Sequence, residues 1–122
     1  MDFKNLIAYK KAFSLAMEVY KVSKSFPKEE TYSLTDQIRR SSRSVCTNIA
    51  EAYRKRIYQK HFISKLTDAD AENSETMVWL DFALACNYIP DADYEHFYNE
   101  SVEIGKLVNY MISNPEKFGS KY

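Results

Sequence analysis

The residues with the most chemistry to offer in this 122-residue chain are two histidines, two cysteines and an uneven crowd of arginines and lysines. A helical bundle can hold two irons, but that site needs Glu-x-x-His on each of two helices. Neither His61 nor His96 has a glutamate three positions before it. The two also fall near opposite ends of the helices assigned below, too far apart to share a tetrahedral ion. Glu72 and Glu75 share one helical face, an arrangement that is commonplace on soluble helices. With only two glycines there is no loop to cradle a phosphate, and no serine or cysteine has an evident histidine partner. The expectation is a protein that is not an enzyme and needs neither metal nor cofactor.

Cys46 and Cys86 read as small apolar core residues of a reducing compartment. They stand about 11 residues before and about 29 residues after a turn near Ile57, which separates them by about 27 Å in an antiparallel pair. That is beyond disulfide reach. No basic, apolar and small-residue leader opens the chain, and no apolar run approaches the roughly 20 residues of a membrane span. The expected compartment is the cytoplasm, where the glycosylation match Asn99-Glu100-Ser101 has no meaning.

Charge is sorted along the chain although its net value is zero. From Asp36 to Lys65 eight basic residues face two acids, a net of +6. From Leu66 to Glu103 there are ten acids and no lysine or arginine, a net of −10. A basic zone of this kind can neutralise phosphates in a salt-sensitive, sequence-independent way. It can also face the acidic zone of another copy and steer assembly, or remain a solvated face. The candidate nucleic-acid contacts are Arg39, Arg40, Arg43, Arg54, Lys55, Arg56 and Lys60. Arg39 and Arg43 lie one turn apart on one face, Arg40 points elsewhere, and Arg54, Lys55 and Arg56 sit at a turn at the end of the bundle.

Four helices are needed to position these residues. Leu6, Tyr9, Phe13, Ala16 and Tyr20 recur at helical steps, widened by Ala12 and Val19, in a first helix from about Leu6 to Ser25. Phe26-Pro27 ends it, and Lys28-Glu29-Glu30 can form a short extra turn. A second helix starts with Thr35 as N-cap and turns Ile38, Ser42, Val45, Ile49 and Ala52 inward. Small residues such as Ser41 and Ser44 suit a close helix approach. A third helix runs from about Tyr58 to Ala85, ended by Asn87 in the left-handed region. A fourth runs from Pro90-Asp91 to about Ser113, with Tyr94, Phe97, Val102, Gly105, Val108 and Ile112 inward. The prediction is all-α: an antiparallel up-down-up-down four-helix bundle over residues 1–114, with a loose tail over 115–122. Between Met77 and Cys86 the third helix is apolar almost all round, more than one chain can cover. This points to a subunit interface with Met77, Trp79 and Phe82 as candidate contacts.

Phe26-Pro27-Lys28-Glu29-Glu30, Tyr32-Ser33-Leu34-Thr35-Asp36-Gln37-Ile38-Arg39-Arg40-Ser41, Ser44-Val45 and Asn48-Ile49-Ala50-Glu51 together resemble the four helix bundle protein family, also called 23S rRNA intervening-sequence proteins. The likeness runs from Leu6-Ile7-Ala8-Tyr9 to Gly105-Lys106-Leu107, departing at Ser33, Arg43 and Ala52. It implies a homo-oligomer, a ring of five, with no recognised active site and no settled biochemical role. Related bundles, the accessory variability determinants of diversity-generating retroelements, bind nucleic acid and a reverse transcriptase. By analogy the implied partners are further copies of the chain, RNA or DNA, and a protein such as a reverse transcriptase, with a structural adaptor as the alternative. Glu51 of the Asn-Ile-Ala-Glu match is expected to partner an arginine such as Arg39 or Arg40. Arg56 and His61 are also similar in spacing to the Arg-x4-His of HEPN ribonucleases, though Ile57 stands where those enzymes usually carry a polar residue. A ribonuclease is therefore a further alternative.

Overall fold

The computed structural model describes residues 2–122 and contains the expected four helices: α1 (Ile7–Ser23), α2 (Leu34–Arg54), α3 (Gln59–Ala85) and α4 (Asp91–Ser113). Each helix packs on its successor and α1 closes onto α4, so the antiparallel bundle is a closed cycle. Val19, Ile38, Ile49, Phe62, Leu66, Leu80, Ile104 and Val108 form its axis, each at most 1% exposed. Asn87 takes φ 60° and turns the chain out of α3, as its side chain allows at low cost.

The widest seam is between α2 and α3, and small residues build it. Ser41, Ser42 and Ala52 of α2 meet a face of α3 that carries Ala69, Thr76 and Ala83, all buried. The Thr76 hydroxyl donates to the Glu72 carbonyl at 2.9 Å, and its oxygen lies 2.8 Å from that of Ser41. Between α3 and α4, buried Asn73 donates to the Ser101 carbonyl at 2.8 Å.

Two helices are rotated from their expected faces. In α1 Ala12, Ala16 and Val19, with Leu6 at the N-cap, are buried as expected, but the stripe is completed by Ala8 and Leu15, while Phe13 is 51% exposed and Tyr9 and Tyr20 are half-buried. Alanines at steps of four make a low ridge that lets the helix axes approach, and the large rings are displaced to the outer edge. In α4 the inward set is Phe97, Ser101, Ile104, Val108 and Met111, leaving Tyr94, Val102, Gly105 and Ile112 half-buried. The other expectations to correct are local. Thr35 is not the N-cap of α2; Ser33 is, and the acceptor comes from Glu30 in the short 3-10 turn Lys28–Glu30. Glu30 accepts hydrogen bonds from the Ser33 hydroxyl (2.6 Å), the Leu34 N–H (3.4 Å) and the Tyr88 hydroxyl (2.9 Å). Cys46 is buried, but Cys86 is exposed, because it follows the last turn of α3 and lies off the inward face. Both thiols are free.

The segment after α4 is also not loose. Pro115–Phe118 forms a 3-10 turn with Pro115 buried, and the Phe118 ring lies 6.4 Å from that of Phe62 and 6.2 Å from that of Tyr110. Gly119 takes φ 91°, where a side chain would be strained. The Lys121 and Tyr122 N–H groups then donate to the Ile57 carbonyl (3.3 and 3.0 Å), and the Gln59 N–H donates to the Tyr122 carbonyl. The end of the chain thus ties down the turn between α2 and α3.

Glu30 joins three segments through one carboxylate, and its hydrogen bonds from Ser33 and then Tyr88 hold its carboxyl below the ordinary range. The same bond, with burial, pushes the Tyr88 hydroxyl up to about 12. A carboxyl lowered by folding contributes stability that is complete above its unfolded value, about 4.3, and is lost as pH falls through the folded one. Thermal melts across this acid range should show the wild type losing more stability than Glu30→Gln, whose melting point is lower at neutral pH; parallel curves would remove the carboxylate's role.

Candidate functional site

The candidate basic residues divide into two groups along α2. Arg39 and Arg43 stand fifteen positions and eleven positions before Arg54, so the groups are centred about 20 Å apart at 1.5 Å per residue. The first group gathers on one ring. The Arg39 and Arg43 guanidinium carbons lie 4.9 and 5.5 Å from the centre of Tyr20, and the Lys24 ammonium lies 4.8 Å from it. Arg39 also donates to the Ser23 hydroxyl at 2.8 Å. Cations over an aromatic face are attracted by its quadrupole, which here gathers three like charges around a single ring. Arg40 points elsewhere, as expected, and is exposed. Sequence reasoning missed Tyr20 and Lys24 as members, although their four-residue spacing on α1 and cation–aromatic pairing were a readable signal.

The second group lies at the turn. Arg54, Lys55 and Lys60 are exposed. Arg56 is folded inward: its guanidinium sits 4.1 Å from the centre of the Tyr53 ring and donates to the Tyr53 carbonyl at 2.9 Å. The same side chain approaches Gly119 of the returning tail. The residue is therefore occupied in holding the C-terminal end of α2. His61 packs edge-on against Tyr58, with ring centres 6.1 Å apart, so Arg56 and His61 turn to different neighbours.

The ion pairs lie on other seams. Lys11 of α1 reaches Glu103 (3.0 Å) and Glu100 (3.7 Å) of α4, and His96 of α4 meets Glu18 of α1 at 2.8 Å. Glu51 pairs with Lys65 at 2.8 Å rather than with the expected arginine, because Arg39 and Arg40 stand twelve and eleven residues earlier on the same helix, about 17 Å or more away. Among the described residues Lys24, Arg39, Arg40 and Arg43 have no carboxylate partner. No group of three or more His, Cys, Asp or Glu side chains is placed to hold a metal among the described residues.

Two apolar surfaces flank these charges. Between α1 and α2 a groove of about 420 Å³ is walled by Tyr9, Phe13 and Met17 on one side and Cys46, Thr47 and Ala50 on the other, with Arg43 at its edge. The second surface lies near the end of α3. Trp79 and Phe82 lie with ring centres 5.9 Å apart beside Leu34, Gln37 and Cys86 around a shallow groove of about 220 Å³. Phe82 is 53% and Val78 48% exposed, while Trp79 is half-buried and donates to Glu75 at 3.3 Å. Met77 is half-buried two positions from Trp79, which places it on a different side of α3; Val78 stands with Phe82 instead. Glu72 lies one turn before Glu75, and its carboxyl is pushed above the ordinary range by burial and then by that neighbour's charge.

If Arg56 serves the fold and Arg54 does not, Arg56→Ala should lower stability by about 1–2 kcal/mol, the sum of one stacked cation and one hydrogen bond. Arg54→Ala should leave denaturant midpoints unchanged; equal effects would contradict the assignment.

The family described as 23S rRNA-intervening sequence protein matches the chain over residues 4–110. Among solved structures, a protein of unknown function from the S23 ribosomal protein family of Bacteroides thetaiotaomicron VPI-5482 is similar at 31% identity with a TM-score of 0.79. The match covers 88% of this chain and 96% of that one. A comparison with curated proteins gives no match. Among the described residues no helix is long and apolar enough to cross a membrane. From residue 4 to residue 110, sequence and bundle together place the chain in the 23S rRNA-intervening sequence protein family.

Proposed function

We propose that this chain is a non-enzymatic interaction protein that assembles with copies of itself and holds RNA through its basic zone. The observation that carries the RNA reading is the cluster of Lys24, Arg39 and Arg43 on Tyr20, with no carboxylate partner among the described residues. Cations left without internal partners are available to phosphates, and release of condensed counterions favours that exchange. The family description, which names an intervening sequence of 23S rRNA, supports the same ligand class. Arg54, Lys55 and Lys60 extend the zone at the far end of α2, and Arg56 drops out of it.

Self-association rests on the surface of exposed Val78 and Phe82 with half-buried Trp79 beside them, aromatic anchors of the kind that dominate interfaces. A ring of five, as the resemblance implies, would have five times the 14.3 kDa of one chain. Light scattering should give that mass for the wild type and a smaller one for Phe82→Glu, whose side chain is too exposed to be needed for folding. A wild-type monomer at micromolar concentration would end the assembly reading.

Binding to a single-stranded ribosomal RNA fragment should weaken steeply with salt. Each phosphate contact contributes about −0.7 to the slope of log K against log salt, so Lys24→Gln with Arg43→Gln should flatten it by about 1.4. The RNA should be recovered intact. Absence of binding at low salt would leave an adaptor oligomer that docks a protein, and cleavage lost in His61→Ala would install the ribonuclease.

A further inference from the structure

The cationic cluster and the groove between α1 and α2 share Arg43. Its guanidinium faces the Tyr20 ring at 5.5 Å and also edges the cavity walled by Tyr9, Phe13, Met17, Cys46 and Ala50. Every other group lining the cavity is uncharged. Its aromatic wall is a run of three contacting rings: Phe3 meets Tyr9 edge-on with centres 5.2 Å apart, and Tyr9 lies tilted against Phe13 at 6.1 Å. Phe13 is nevertheless 51% and Met17 42% exposed, so the wall presents open ring and thioether surface. Along α1 the exposed Phe13 and the cation-bearing Tyr20 are seven residues apart, about 10 Å.

A ligand that fits both parts alternates a flat, largely apolar body with a fixed negative charge at short range. We infer that the α1–α2 groove receives an unpaired base of single-stranded RNA, stacked on Phe13, while Arg43, Arg39 and Lys24 hold the neighbouring phosphates. The inference rests on the RNA-binding reading above and adds its strand selectivity. Bases within a duplex are already stacked on one another and do not reach such a slot, whereas unpaired bases stack readily on aromatic side chains. The floor of the slot suits this occupant: Cys46 is a buried thiol whose titration is pushed up to about 12 by burial, so it stays neutral beneath the base. Nothing charged lies there to reject an apolar ring face. A second copy of the chain offers acids on α4 to the same cations, and the test below separates that occupant from RNA.

The experiment is fluorescence anisotropy with a purine-rich RNA of about twelve nucleotides, within the range of single-strand sites, and with the same RNA annealed to its complement. Wild type, Phe13→Ala and Phe13→Trp are compared, each with its mass measured by light scattering. The wild type should bind the single strand more tightly than the duplex. Phe13→Ala should lose about tenfold in single-strand affinity, in keeping with the contribution of one base–aromatic stack, and nothing on the duplex. Phe13→Trp, which keeps a flat ring, should retain single-strand binding. Equal binding of both RNAs, or an equal loss on both in Phe13→Ala, overturns the inference and leaves the RNA reading standing. A change of oligomeric mass in Phe13→Ala also overturns it, by making the groove a subunit contact. Failure of the wild type to bind either RNA removes the RNA reading itself.

Discussion

The bundle depends on the close approach of its helices through small side chains. Ser41, Ser42 and Ala52 of α2, Ala69 and Ala83 of α3, and Ala8, Ala12 and Ala16 of α1 occupy the contact faces. Four helices can close into a cycle around a modest core only if few large rings stand between their axes. Of ten tyrosines, seven phenylalanines and one tryptophan, only Phe26, Tyr53, Phe62 and Phe97 are buried among the described residues. The other aromatic side chains are displaced to the seams and the surface. That one constraint produces the α1–α2 groove, the Tyr20 platform under three cations and the Trp79–Phe82 patch. Features available for recognition are thus a by-product of how the core is closed.

Charge follows a related division. The acids of α4 are partly answered by Lys11, and the single carboxylate in the last turn of α2, Glu51, is answered by Lys65. Exposed pairs of this kind contribute little to stability. Their effect is on the map of what remains unpaired: negative along α3 and α4, positive along α2 and the adjoining end of α1. The polarity across the bundle is larger than the zero net charge of the chain suggests.

Much of this was legible in the sequence. Few glycines and prolines, the Phe26-Pro27 stop, Asn87 and Pro90 placed the helix ends close to where they lie. The buried face of α2 was readable because its polar and apolar positions are cleanly separated. In α1 an aromatic stripe and an alanine stripe run side by side, and hydropathy favours the wrong one; only the distance between helix axes decides. Glu30 caps α2 from outside the helix and completes its bonds with Tyr88, fifty-eight residues away, which no local motif encodes. The returning tail is held largely by backbone groups of Ile57 and Gln59, which have no residue-type signature. Of the basic zone, the shared face of Arg39 and Arg43 was visible, whereas the withdrawal of Arg56 onto Tyr53 was not.

The two free thiols report on different motions of the molecule. Cys86 is open to solvent at the end of α3, so an alkylating reagent reaches it in the native state. Cys46 lies beneath the groove, buried and neutral, so its modification waits for α1 and α2 to part. The ratio of their labelling rates is therefore a built-in gauge of how often that one seam breathes, and an occupant of the groove would slow only the second clock.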